Sequence, residues 1–389
     1  MTQSVATFRN GRIFDGTRLL DGHAIRFDDG HVATLGPEAD VPIAGLEFDL
    51  DGDILSPGYV DLQVNGGDGV MFNDHPSIDT LRRIASAHRR LGTTSLLPTL
   101  ITDSPDKTNA AIAAAKAAIS DGVPGIVGLH LEGPHLSIAR KGAHDGDLIR
   151  PMTAGDLDSL LAAAAALPVL KVTVAPENVS HAQVEALCKA GVIVSLGHTD
   201  ADFDTCCRYI DAGAGCVTHL FNAMSQLGNR EPGLVGATLA NGTVSCGLIA
   251  DAIHVHPEVM RVTWAAKKGP GRVFLVSDAM AVAGSALTEF DLGGRRIQRN
   301  NGRLTLADGT LAGADLDLTT AIRTIVNRVG VPVADAIQAA TSVPAAIIGR
   351  PVRLQALSET IRIAADLSGI VPLHKAAPDD AFGHRHSAL

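Results

Sequence analysis

The rhythm of apolar and polar positions changes near Ser56-Pro57-Gly58. Before that point, short β-like pieces at residues 6–8, 12–14, 23–27 and 31–35 are separated by turns such as Asp28-Asp29-Gly30. Short runs bounded by Gly and Asp predict an antiparallel β segment over residues 1–55. After it, apolar runs alternate with Ala-rich stretches of helical spacing. The runs at 58–63, 94–98, 126–131, 169–175, 192–197, 216–218, 244–249 and 273–277 read as buried parallel strands. Helices are predicted between them at 78–91, 106–119, 154–166, 181–190, 202–212 and 257–268. Eight such strands with intervening helices predict a closed parallel (β/α)8 barrel over residues 56–350. Further helical segments at 316–329, 333–341 and 344–348 follow the eighth strand. From about residue 351 the pattern weakens. Residues 374–389 have little periodicity, and their His384 and His386 read as part of a frayed terminus.

Composition narrows the function. With 389 residues, 46% of them apolar, the chain can bury a large core. Barrels use 250 residues or more as one unit, so one large domain plus a small one is expected. The formal charge of −10, with no Lys/Arg cluster, argues against nucleic acid and anionic membrane as partners. An anionic substrate would need a few local cations. The five cysteines (Cys188, Cys206, Cys207, Cys216 and Cys246) include no Cys-x-x-Cys and read as reduced, cytoplasmic thiols. Arg9, Arg12 and Asp15 occupy the stretch where a signal peptide needs an apolar run. No stretch of 18 or more uncharged apolar residues appears, and 160–175 is interrupted by Pro168 and Lys171, so a soluble protein is expected.

Four segments end predicted strands with a chemical group: His130-Leu131-Glu132-Gly133-Pro134, Gly197-His198-Thr199, Thr218-His219-Leu220, and Ser277-Asp278-Ala279. Barrel active sites lie at such C-terminal strand ends. His198 and His219 fall on neighbouring strands. One carboxylate and two neutral imidazoles suit Zn²⁺ or a similar divalent ion with an open position for water. Glu132, His198 and His219 are therefore the candidate metal ligands. Asp278 could take a proton from the attacking water and return it to a leaving nitrogen; alternatively it caps the next segment. His144, in a polar loop, could polarise a carbonyl or be an ordinary loop residue. Asn222 and Ala223 share the rim with His219. Arg230, in Gly228-Asn229-Arg230-Glu231-Pro232-Gly233, could grip a phosphate or pair with Glu231. His254 could join it, while His256, before Pro257, belongs near a helix start. His130 points to the same side as Glu132 as a possible neighbour of the ligands, His135 lines a loop, and Lys171 is discounted as a metal-bridging residue.

Pro57-Gly58-Tyr59-Val60-Asp61-Leu62-Gln63-Val64-Asn65-Gly66, His130–Pro134, Lys141-Gly142-Ala143-His144, Gly197–Ala201, Thr218–Met224, Arg230–Gly233 and Leu311-Ala312-Gly313 occur in this order. Together they resemble the N-acetylglucosamine-6-phosphate deacetylases, a branch of the amidohydrolase superfamily, over about residues 5–350. The resemblance implies a (β/α)8 TIM-like barrel with a small β-sandwich domain built from the N-terminal segment and the C-terminal tail. It implies one divalent metal on Glu132, His198 and His219, zinc first, with iron, manganese or cobalt as alternatives. Asp278 would be general base, then acid, and His144 would meet the acetamide carbonyl. Asn222, the Ala223 backbone, Arg230 and His254 would contact a phosphorylated amino sugar. A homodimer would complete the phosphate site across its interface. The implied reaction releases acetate and glucosamine 6-phosphate, in amino-sugar catabolism or cell-wall sugar recycling. Gln63 and Asn65 stand where many superfamily members carry His-x-His for a second metal, so a mononuclear site is expected. The tail departs from the family: Ala365-Asp366-Leu367 runs into Ser368-Gly369 with no clear strand pair, which predicts an incomplete or differently closed small domain. Two competing readings are hydrolysis of another N-acyl amino sugar or cyclic amide, and a non-catalytic sugar-phosphate sensor.

Overall fold

The computed structural model describes residues 5–373, so the tail histidines lie outside the described residues. Eight parallel strands, Tyr59–Val64, Thr93–Ile101, Leu129–Glu132, Leu170–Val174, Ile193–Leu196, Cys216–Val217, Ser245–Leu248 and Val273–Leu275, pair in consecutive order. They are numbered first to eighth below. The first and eighth share no regular ladder. The chain just beyond the eighth strand closes the ring, through a parallel bridge between Val64 and Ala279. Across this seam the Asp278 N–H donates to the Gln63 carbonyl (3.1 Å) and the Asn65 N–H to the Ala279 carbonyl (2.9 Å). Closure thus sets Asp278 beside Gln63 and Asn65.

The predicted helices are present, from Ile78–Arg90 to Pro257–Ala266. Several start at side-chain caps: Ser77, Ser104 and Asp202 each accept a backbone N–H, and Thr153 and Ser180 form capping boxes. His256 caps Pro257–Ala266 by accepting the Glu258 N–H. Gly233–Ala240, between the sixth and seventh strands, had no amphipathic signal. Gly233 to Thr238 are all buried, so the helix carries no polar stripe to give a period. After the eighth strand come Leu318–Thr324, continued by a wider turn at Ile325–Val329, then Val333–Ala340 and Ser342–Ile347.

The expected antiparallel N-terminal segment is mixed. Val5–Arg9 lies antiparallel to His23–Asp28 but parallel to Leu46–Asp49, and Arg12–Phe14 runs parallel to Ile54–Pro57. The tail does supply a strand pair. Thr360–Ile363 pairs antiparallel with Ile54–Pro57 and carries Ile370–Pro372 on its other edge. Strands of four and three residues offer too few positions for an alternation to register. Phe8, Ile13, Ile25, Phe27, Leu50, Leu55, Leu354 and Leu373 form the core of these layers. Arg362 donates to Asp53 (2.7 Å) and ties the tail to the N-terminal segment.

A separate four-stranded sheet was not foreseen. Glu289–Leu292, Arg295–Asn300, Arg303–Thr305 and Leu311–Ala314 form an antiparallel meander after the eighth strand. Its polar face hid it, although Gly293-Gly294 and Asn301-Gly302 are hairpin-turn pairs. Leu292, Ile297, Leu304 and Ala312 are buried against Met71 and Met280. The Ala314 N–H donates to the Asp278 carbonyl (2.9 Å), anchoring the meander at the barrel mouth. No helix among the described residues is long and apolar enough to cross a membrane.

Candidate metal centre and active site

Glu132 is the last residue of the third strand, in register with Ile101 and Thr173. Gly133 follows with φ +86°, and a Cβ there would lie 2.2 Å from Thr102 Oγ1, so only glycine lets the chain turn away at once. His198, His219 and Asp278 follow the fifth, sixth and eighth strands with φ of +48°, +29° and +49°. Left-handed backbone is unfavourable for these residues and persists where surrounding structure imposes it, most often at functional sites. All four side chains are buried.

The three candidate ligands converge. His219 Nε2 lies 3.1 Å and His198 Nε2 3.3 Å from Glu132 Oε1. The two Nε2 atoms are 3.1 Å apart. His198 Nδ1 is 2.9 Å from the Arg140 carbonyl, which can only accept, so Nδ1 carries the hydrogen. In the neutral ring Nε2 is then a lone pair, aimed at a carboxylate oxygen and a second imidazole nitrogen. A buried lone pair on His198 Nε2, turned on a carboxylate oxygen with a second imidazole nitrogen beside it, fits a metal ion on Glu132, His198 and His219. Burial alone would raise the Glu132 carboxyl, but the two imidazoles beside it hold it well below the usual range. Burial would lower His219, and the Glu132 carboxylate raises it instead.

Asp278 sits across from this set. Gln63 Nε2 donates to Glu132 Oε1 and to Asp278 Oδ1, 3.1 Å each. Asn65 Nδ2 donates to the same Asp278 oxygen at 2.7 Å. Burial, then the negative charge of Glu132, raises the Asp278 carboxyl above its ordinary value. Among the described residues Asp278 caps no helix.

His144 completes the polar wall. Its Nδ1 accepts from the Thr102 N–H (3.3 Å) and lies 2.8 Å from Thr102 Oγ1. That fixes the hydrogen on Nε2, which sits 3.9 Å from Glu132 Oε2. Burial, then the nearby His198, pushes His144 down to about 3, so the ring is a neutral N–H donor.

A cavity of about 380 Å³ joins these groups; its lining includes Glu132, His144, His198, His219 and Asp278. Asn222, Ala223 and His254 also line it, together with Arg140 and, from the meander, Thr310 and Leu311. His254 Nδ1 lies 2.6 Å from Asp251 Oδ2. Arg230 is exposed and is not among the residues lining the cavity. It forms no ion pair with Glu231 among the described residues; Glu231 instead accepts the N–H groups of Phe203 (2.7 Å) and Gly233 (3.0 Å). His130 is bonded at both nitrogens to threonine hydroxyls, His135 Nδ1 meets the Arg150 carbonyl (3.0 Å), and Lys171 is buried with an unpartnered Nζ. The sequence reading missed the bonds of Gln63 and Asn65 to Asp278, the Thr102 contact and the meander wall. Each depends on distant segments meeting, which no local pattern reports.

The model of the Amidohydrolase family matches residues 54–358. The chain belongs to the amidohydrolase family. This amidohydrolase is 41% identical over 351 residues, 87% of each chain, to the N-acetylgalactosamine-6-phosphate deacetylase of Shewanella sp. (strain ANA-3). It is 36% identical over 326 residues, 82% of this chain and 84% of the other, to the N-acetylglucosamine-6-phosphate deacetylase of Haemophilus influenzae. Its structure matches that of an aspartate-to-alanine variant of N-acetyl-D-glucosamine-6-phosphate deacetylase from Mycobacterium smegmatis, in complex with N-acetyl-D-glucosamine-6-phosphate. The TM-score is 0.85, with 30% identity over 95% of this chain and 97% of that one.

Proposed function

We propose that this amidohydrolase removes the acetyl group from N-acetyl-D-glucosamine 6-phosphate, giving D-glucosamine 6-phosphate and acetate. One observation carries the reading. Around one cavity stand a Glu/His/His cluster fit for a metal, a carboxylate with one oxygen free of hydrogen bonds among the described residues, and a neutral imidazole N–H donor. That is the set needed to activate water, move a proton and stabilise a developing oxyanion.

Glu132, His198 and His219 would hold one divalent ion, zinc first. When bound, it supplies a Lewis acid at the acetamide and lowers the cost of deprotonating water. Asp278 takes a proton from the attacking water and hands it to the amide nitrogen as the C–N bond breaks. His144 donates its Nε2–H to the carbonyl oxygen as charge builds there. Asn222, the Ala223 backbone and His254 face the sugar phosphate from the same chain. Arg230, outside its own cavity, would serve the phosphate of a neighbouring subunit in a homodimer. No disulfide joins the five cysteines, in keeping with a reducing, cytoplasmic setting.

The 41% identity to an N-acetylgalactosamine-6-phosphate deacetylase favours a second reading, the C4 epimer as substrate. Acetate release from both 6-phosphates, measured in parallel, tests the proposal. A higher kcat/KM on the gluco sugar supports the first reading and a higher value on the galacto sugar the second. Equal turnover of unphosphorylated N-acetylglucosamine would contradict both.

A further inference from the structure

We infer that Asn65 is a positioning residue that dedicates one oxygen of Asp278, Oδ2, to proton transfer. The inference rests on the reading of Asp278 as the base and acid of amide hydrolysis.

Two amide N–H donors converge on Asp278 Oδ1, from Asn65 Nδ2 at 2.7 Å and from Gln63 Nε2 at 3.1 Å. Among the described residues Oδ2 takes no hydrogen bond, and Asp278 lines the cavity. A proton on Oδ1 would point an O–H at groups that are themselves donors. A proton on Oδ2 meets no such conflict. The carboxylate is also held against rotation, because turning it would break both bonds to Oδ1. The same oxygen therefore receives the proton from water and delivers it to the leaving nitrogen.

The orientation of the Asn65 amide follows from the same contact. Flipped, its Oδ1 would lie against a carboxylate oxygen with no hydrogen between them. As placed, Asn65 Oδ1 is buried with no partner, a cost the protein bears to keep the N–H groups facing Asp278. The Asn65 backbone is pinned on both sides: its N–H donates to the Ala279 carbonyl (2.9 Å) and its carbonyl accepts from the Phe72 N–H (2.9 Å). Gln63 shares the task but also bonds Glu132, so its removal would disturb a candidate metal ligand as well. Among the described contacts, the Asn65 side chain bonds Asp278 alone.

The test is a double-mutant cycle on the metal-loaded enzyme with N-acetylglucosamine 6-phosphate. Asn65→Ala is expected to lower kcat about tenfold to a hundredfold, as misplacement of a reacting group does. KM should stay within about twofold and metal content unchanged. In an Asp278→Asn background the same change should cost less than about twofold, because nothing remains to position. Asn65→Ser, which keeps a donor of shorter reach, should fall between wild type and alanine, and it carries the cycle if the alanine variant does not fold. An undiminished kcat in Asn65→Ala, or an equal fold-loss in both backgrounds, would overturn the inference. An Asp278→Asn enzyme with wild-type turnover would instead overturn the reading of Asp278 itself.

Discussion

Two buried polar groups of residues lie a turn of strand apart inside the same barrel, and they are built on opposite terms. His130 stands two residues before Glu132 on one strand. Its Nδ1 is 3.1 Å from Thr99 Oγ1 and its Nε2 2.7 Å from Thr173 Oγ1. Thr173 continues to Thr218, and Thr218 to Ser195, at 2.7 Å each. Every hydroxyl and ring nitrogen in that chain has a partner, so it behaves as a saturated structural network. At the mouth, Glu132, His198 and His219 bring their ligand atoms within 3.3 Å of one another, while among the described residues His219 Nδ1 and the amide oxygens of Gln63 and Asn65 have no partner. Three of the mouth residues also carry left-handed backbone. Polarity and burial are alike in the two places. What separates the mouth from the layer below is the convergence of ligand atoms on a cavity; an unpartnered polar atom alone does not mark it, since Lys171 Nζ beside His130 is also buried without a partner.

Mutations should divide along the same line. The largest effect belongs to the ligands. Glu132→Gln, His198→Asn or His219→Asn should each lose the metal and cut turnover by on the order of a thousandfold or more, since the metal activates the water. Elemental analysis beside acetate release checks both. Asp278→Asn comes next: metal and substrate should still bind, with kcat down roughly 10²–10⁴-fold, the range for a general acid–base group. An active Asp278→Asn enzyme would remove the distinction between that carboxylate and any other buried one. His144→Gln should cost about 10²-fold in kcat, the order expected for one lost oxyanion donor, with a smaller change in KM.

In the saturated layer the ranking reverses. Thr173→Val strands His130 Nε2 and should lower stability by about 1–3 kcal/mol, read by urea unfolding, while kcat changes little. The smallest effect is on pH. Burial lowers His88, His130 and His135, so the folded protein excludes protons that the unfolded chain binds near pH 6.5. Their contribution is complete above that pH and is lost as pH falls toward the folded values, so stability should drop from pH 7 to 5. His130→Gln should flatten that slope, seen as a smaller change in Tm across the interval.

The sequence made the barrel legible because strands covered on both faces are apolar runs, and the six helices between them are Ala-rich or amphipathic stretches. It also exposed Glu132, His198, His219 and Asp278, since each follows such a run directly. Gly233–Ala240 was hidden by being buried nearly all round, and the 289–314 meander by its charged outer face. The Thr360–Ile363 and Ile370–Pro372 pair was too short to show a period. Tertiary pairings, such as Asn65 with Asp278 over more than two hundred residues, leave no local trace.

The central claim is that the mouth cluster exists to hold one catalytic metal. The direct measurement strips the protein with a chelator, returns zinc in steps, and records bound metal and acetate release from N-acetylglucosamine 6-phosphate on the same samples. The account predicts activity rising in proportion to metal and levelling at about one ion per chain. Full activity in the metal-free protein, or a folded, fully loaded protein that releases no acetate, would contradict it.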